Sequence, residues 1–359
     1  MTNGRLAIAQ VAPLHESVPP KLYGGTERVV SYLTEELVTL GHDVTLFATG
    51  DSSTSAHLVA VRPGALRLSG TSDPIAPHVL LLERVAARAA SFDVIHFHCD
   101  YMHYPLSRRL VTPTVTTLHG RLDIPDLVPL YREFSDMPLV SISDAQREPL
   151  PWACWIGTVH HGLPLNVGTF RDQPGQYLAV LGRISPEKGV DRAIEIARRF
   201  GMKLKIAAKV DQSDQSYFDE VIRPLLDGPG VEFVGEIGEQ DKDQFLGEAY
   251  ALLFPIDWPE PFGLVMIEAM ARGAPVIAFR RGSVPEVIDD GVTGYTVDSI
   301  EEAVHALERL RDLSRQKCRL RFEERFTSRR MAVKYLDVYR RVADFSPGPS
   351  MPCERASNS

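Results

Sequence analysis

The chain reads as an α/β protein of two successive domains, each a parallel sheet with helices on both faces. Three observations predict this. Short apolar runs of strand length alternate with helical segments along most of the sequence. The alternation stops once, in a Pro-, Gly- and polar-rich stretch at 163–176, and then begins again. The length of 359 residues exceeds what one ordinary hydrophobic core serves.

The elements follow in order. Residues 6–11 form a buried opening strand, and a loop at 19–25 ends in a glycine pair. Thr26 is the expected N-cap of an amphipathic helix over 28–40, closed by Gly41. Strands are predicted at 43–48, 93–98, 114–118 and 138–142, with a helix at 79–90. Past the linker, strands are predicted at 177–181, 203–208, 231–234, 251–254 and 274–279. Helices are predicted at 189–200, 217–226, 240–249, from Leu264 onward, at 299–313 and at 328–342. The composition of 346–359 is that of a disordered tail. The expected domains are 1–165 and 166–327, with a terminal helix at 328–345. Two such domains would bind a ligand at the carboxyl ends of their strands, in a cleft between them.

Composition excludes several classes. Hydrophobic residues make up 44% and charged ones 24%, as in a soluble globular protein. The net charge is −8, about half of it in residues 1–165, which argues against nucleic acid as a partner. Cys99, Cys154, Cys318 and Cys353 show no C-x-x-C spacing, so neither a disulfide framework nor a structural zinc site is indicated. No apolar run approaches membrane-spanning length and no signal-peptide core is visible, so the expectation is a cytoplasmic protein.

Four loops carry the chemistry. In the stretch 258–271, Glu260 precedes a Pro/Gly turn, Gly263 lets the backbone approach a ligand, and Glu268 lies inside the helix that follows. The first amides of that helix suit an anion such as a diphosphate, and the carboxylates suit sugar hydroxyls. Most E-x7-E spacings are two solvated glutamates; here the intervening turn separates this segment from that case. In 181–189, Arg183 ends a strand and Lys188 begins a helix. A cation there opposes the helix dipole, and an anionic ligand accounts for it. The Gly24-Gly25-Thr26-Glu27 turn offers positive φ and free amides near a helix start, although a tight βα turn alone also favours glycine. His119 ends a strand before Gly120, where a histidine can donate to a sugar or stabilise charge. His96 and His98 share one strand face, a spacing compatible with a metal but commoner in core histidines.

Taken in chain order, from Gly24-Gly25-Thr26-Glu27 through His119-Gly120 and Arg183/Lys188 to Glu260 and Glu268, the loops resemble those of the retaining nucleotide-sugar glycosyltransferases of family 4, over residues 24–295. The resemblance implies the GT-B fold, two facing Rossmann-like domains with parallel sheets and a cleft between them. It also implies hexose transfer with retention from a nucleotide-diphosphate sugar, UDP-glucose first and GDP-mannose second, to a small-molecule or saccharide acceptor. By that resemblance His119, Arg183, Lys188 and Glu260 are catalytic. Gly25, Ile237, Phe262, Gly263, Leu264 and Glu268 bind the donor, with Glu268 on the ribose and Ile237 at the base. His98, Asp100 and Tyr101 are the expected acceptor-side residues. No D-x-D motif stands in a matching context, so no cofactor and no metal are expected. The terminal helix would cross back to the first domain. Two segments differ from the family pattern: His160-His161-Gly162-Leu163 replaces an Asn-Gly-Val type loop, and Lys209 and Asp211 occupy a stretch often rich in glycine. The alternatives are a nucleotide-sugar epimerase or hydrolase of the same fold and a non-catalytic nucleotide-sugar sensor. A dinucleotide oxidoreductase is disfavoured because the first βα turn lacks G-x-G-x-x-G.

Overall fold

A computed structural model describes residues 4–67 and 69–344, so the tail at 346–359 lies outside the described residues. The chain divides into two compact units, one ending at Gly162 and resuming at Ser328, the other running from Leu163 to Thr327.

The first unit is a seven-stranded parallel sheet. Its strands are β1 (Ala7–Val11), β2 (Asp43–Ala48), β3 (His57–Ala60), β4 (Val94–Phe97), β5 (Thr114–Thr117), β6 (Leu139–Ser141) and β7 (Trp155–Thr158). They lie in the order β3-β2-β1-β4-β5-β6-β7. Helix α1 (Gly25–Thr39) follows β1, and α2 (Ile75–Ala86), α3 (Tyr104–Ser107) and α4 (Leu127–Glu133) follow in turn. The two edge strands, β3 and β7, were not expected from sequence. Both are edge strands with a single buried residue each, so they carry no continuous apolar run. The central strands β4 and β5 are buried at every residue, as a sheet covered on both faces requires.

The second unit is a six-stranded parallel sheet with the order β10-β9-β8-β11-β12-β13. Its elements are β8 (Tyr177–Ile184), α5 (Val190–Phe200), β9 (Lys203–Val210), the short helices α6 (Gln215–Tyr217) and α7 (Arg223–Leu226) joined by a π-turn, and β10 (Val231–Gly235). Then come α8 (Glu239–Gly247), β11 (Ala251–Phe254), α9 (Leu264–Ala271), β12 (Val276–Phe279), α10 (Val284–Val287), β13 (Gly294–Val297), α11 (Ile300–Arg309) and α12 (Arg315–Arg325). Helix α5 buries Val190, Ala193, Ile194 and Ala197, of which Val190 and Ile194 each contribute about 1.5–3 kcal/mol when fully buried. The segment around Tyr295 is the edge strand β13, paired with β12.

Helix α13 (Ser328–Asp344) closes the described chain and belongs to the first unit, where it packs on α1, β4 and β5. Cys99 and Cys318 are buried free thiols.

Candidate active site

In the second unit three loops leave the carboxyl ends of the adjacent strands β8, β11 and β12, and backbone bonds tie them together. The Asp257 amide donates to the Glu187 carbonyl at 2.8 Å, and the Ser283 amide donates to the Glu260 carbonyl at 2.9 Å. Ser283 Oγ donates to the Phe262 carbonyl at 2.9 Å. The Arg281–Glu286 segment therefore acts as a buttress for the Glu260 loop.

This frame brings Lys188 to Glu260, with Nζ 2.5 Å from Oε2. Lys188 also lies over the Trp258 ring, 4.5 Å from its centroid, a second favourable setting for a cation. Lys188 sits in the turn before Gly189, and α5 starts at Val190, so it precedes the helix rather than beginning it. Arg183, next to last in β8, donates to Glu187 at 2.7 Å and lies 3.7 Å from Asp211 and 3.8 Å from Asp214. Lys209 pairs with the same Asp211 at 2.5 Å. The cations expected to receive a diphosphate are thus already neutralised by carboxylates. Asp211, noted in sequence only as a departure, and Asp214, not singled out at all, are part of that arrangement.

Gly263 is left-handed (φ 76°) and caps α9, whose first residue is Leu264. Phe262 is buried edge-on against Phe326, with ring centroids 6.1 Å apart. Glu268 is buried one turn into α9 and accepts from Lys242 Nζ at 2.9 Å, a partner on α8 that spacing could not reveal. Ile237 is half-buried just beyond the edge strand β10.

In the first unit, α1 begins at Gly25 with Gly24 as its N-cap, so Thr26 is not the cap. Gly24 is extended (φ 160°) and neither glycine uses a left-handed φ. What requires glycine is space, since a Cβ at Gly24 would lie 2.7 Å from Pro20 Cβ. Glu27, in the first turn, is buried, and burial pushes its carboxyl up to about 7.

Beyond β1, β4 and β5 lies a buried polar network. Gln10 Nε2 donates to the Tyr339 hydroxyl at 2.8 Å, and His98 Nε2 lies 2.8 Å from Gln10 Oε1. His98 Nδ1 is 2.9 Å from His119 Nε2. His96 spans Tyr339 (2.8 Å) and Thr117 (2.7 Å), and Thr117 meets Tyr335 at 2.9 Å. All four ring nitrogens of His96 and His98 are therefore taken up by neighbours other than a metal. His98, expected on the acceptor side, is buried instead, because its ring is held inside this network. Asp100 and Tyr101 are exposed, and Asp100 adopts a left-handed φ of 50°, which a short polar side chain tolerates. His119 is half-buried, stacked on His161 at 5.2 Å, and its Nδ1 has no hydrogen-bond partner. Burial holds its pKa down at about 3, so the ring is neutral. Gln10, Tyr335 and Tyr339 carried no sequence signal, since they are joined across as many as 329 positions.

Comparison with known proteins bears on both units. Residues 23–153 match the Glycosyltransferase Family 4 model, and residues 169–328 match the model for Glycosyl transferases group 1. The chain is 26% identical over 335 residues to D-inositol 3-phosphate glycosyltransferase of Mycolicibacterium smegmatis, covering 77% of this chain and 75% of that protein. It is 27% identical over 364 residues to N-acetyl-α-D-glucosaminyl L-malate synthase of Bacillus anthracis, covering 88% and 93%. AviGT4, a glycosyltransferase involved in avilamycin A biosynthesis, shares the fold with a TM-score of 0.73 at 24% identity, over 94% of this chain and 98% of that one. The two parallel-sheet Rossmann-like domains of the GT-B class are each matched, in order, by a glycosyltransferase domain model, which supports a glycosyltransferase of family 4 type.

Proposed function

We propose that the protein transfers a hexose, with retention, from a nucleotide-diphosphate sugar to a small-molecule or saccharide acceptor in the cytoplasm, without a metal ion. The observation that carries this reading is the junction of the β8 and β11 loops, where Lys188 meets Glu260 beside the start of α9. In this reading the diphosphate takes over Arg183 and Lys188 from their carboxylates and receives the first amides of α9. Glu268 accepts from the ribose, and Ile237 lies against the base. Glu260 and the Phe262–Leu264 backbone hold the hexose. Gly25 contributes an amide to the diphosphate, and His119 contacts the hexose. The two cations stabilise charge as the sugar–phosphate bond breaks, and the departing phosphate oxygen takes the acceptor proton. UDP-glucose is the first donor to try and GDP-mannose the second. The names of the two relatives, a D-inositol 3-phosphate glycosyltransferase and an N-acetyl-α-D-glucosaminyl L-malate synthase, support a small acceptor.

The test is calorimetric titration of UDP, GDP, ADP and their sugars in EDTA, followed by product analysis. Saturable binding of one nucleotide sugar, and its hexose appearing on an added acceptor with retained configuration, supports the reading. Binding that needs a divalent cation removes the metal-independent part. Release of free sugar or epimer at full rate replaces transfer by hydrolysis or epimerisation, and failure of every nucleotide to bind overturns the donor site.

A further inference from the structure

The buried network of the first unit has a direction, and that direction ends at His119. Gln10 is its branch point. On one side the Gln10 amide nitrogen donates to the Tyr339 hydroxyl. That hydroxyl is left to donate to His96 Nδ1, and His96 Nε2–H donates in turn to Thr117. On the other side an amide oxygen only accepts, so His98 Nε2 carries the proton it shares with Gln10. Burial and the surrounding imidazoles hold His98 well below the usual histidine range, so it is neutral and its Nδ1 is bare. Its neighbour must then be the donor, which places the proton of His119 on Nε2. A neutral His119 with Nε2–H presents Nδ1 as a lone pair, and that atom is buried without a partner. Leaving a buried polar atom unsatisfied costs about 1–3 kcal/mol, which a ligand hydroxyl relieves.

We propose that Gln10 and His98 are positioning residues that fix His119 in its Nε2–H tautomer, so that its bare Nδ1 accepts a hydrogen bond from a hydroxyl of the transferred sugar. This rests on the reading in which His119 meets the hexose and adds to it the sense of that contact. A histidine read from sequence as a donor becomes an acceptor. His98 leaves the acceptor side and becomes the link that sets the tautomer. Substitutions at Gln10, which touches no ligand in this scheme, reach the sugar through two imidazoles.

The experiment is nitrogen-15 NMR of the histidine rings in the full chain, with His119→Asn used to assign the signal. In the free protein His119 is expected to show a protonated Nε2 and a bare Nδ1, and added UDP-glucose or GDP-mannose is expected to move the Nδ1 signal in the sense of hydrogen-bond acceptance. Gln10→Met keeps the side-chain length and replaces the amide oxygen by a thioether sulfur, a much weaker acceptor. The His98 proton then shifts to Nδ1 and inverts His119. The expected result is a protonated His119 Nδ1, a kcat lower by about tenfold and an unchanged affinity for UDP. A protonated Nδ1 in the free wild-type protein overturns the proposal whatever any ligand does. A bare Nδ1 that stays unmoved by a donor shown by calorimetry to bind overturns the sugar contact. Absence of any donor binding faults the functional reading instead, and the tautomer of the free protein still decides the relay. A Gln10→Met protein with wild-type tautomer and kcat also overturns it.

Discussion

Lys188 and Glu260 stand 72 positions apart and form a 2.5 Å ion pair that is largely withdrawn from solvent. Each carries a substitution penalty beyond its own chemistry, because removing one partner strands the other charge where water solvates it poorly. Lys188→Ala is expected to lower kcat by about 100-fold, the size of effect seen when one preorganised stabiliser of developing charge is lost. It should also lower the melting temperature. The double substitution Lys188→Ala/Glu260→Ala should be less destabilising than the sum of the two singles, since the stranded charge is then gone. Initial rates and thermal melts of the four proteins measure both. Strict additivity would mean that the pair is not coupled.

Arg183 is surrounded by Glu187, Asp211 and Asp214, so a diphosphate reaching it competes with carboxylates already in place. Those contacts are partly exposed and individually weak, on the order of 0.2–1 kcal/mol. Asp211→Asn and Asp214→Asn are each expected to tighten UDP binding by about twofold to fivefold. The gain should shrink at high salt, where like-charge repulsion of the ligand is screened. Calorimetry at two ionic strengths checks this. Weaker binding in both variants would show that the aspartates position Arg183 rather than oppose the ligand.

What the sequence disclosed and what it withheld divide along physical lines. Fully apolar strands such as β11 and β12 and the strongly amphipathic α5 were legible because burial on a sheet dictates their pattern. Helix α12 was not, because it is arginine-rich and buries only Arg315, Cys318 and Phe322, too few apolar positions to show a period. The start of α1 was misplaced because Thr26 looks like a cap, whereas Gly24 is selected by its contact with Pro20. At the site, the loops could be named from local residue types. Their partners could not, since Lys242 for Glu268 and Gln10 for His98 are fixed by packing between elements distant in the chain.

Glu27 gives a pH dependence with a definite sign. Its folded-state pKa of about 7 lies above the ordinary 4.5, so the folded protein holds a proton that the unfolded chain releases between those values. Stability from this group is therefore present below about pH 4.5 and lost as the pH rises through 7, by at most about 3 kcal/mol. His119, held down at about 3, has the opposite sign: its contribution is present above the unfolded value of 6.5 and lost as the pH falls towards 3. The substitution Glu27→Gln isolates the first effect. Its melting temperature should match wild type near pH 4.5 and exceed it at pH 8. Equal melting temperatures at both values would show that Glu27 is solvated or paired when ionised.

Gly282 tests whether the buttress positions the reacting groups. It is left-handed (φ 53°), and a Cβ there would lie 2.4 Å from both the amide nitrogen and the carbonyl oxygen of Glu260. Neither backbone atom can step aside without moving the loop that carries Glu260 to Lys188. Gly282→Ala is therefore expected to cost about 1–3 kcal/mol in stability from backbone strain. It should also lower kcat by at least about tenfold, because a displacement of order 1 Å at the reacting groups is enough to do so. Lys242 and Glu268 lie on α8 and α9, away from the Gly282–Glu260 contact, so affinity for the free nucleotide should fall much less than turnover. Rates, melts and UDP titrations on the one variant separate these effects. A stable Gly282→Ala protein with wild-type kcat would show that the Glu260 loop is free to shift and that its contact with Lys188 does not set the rate.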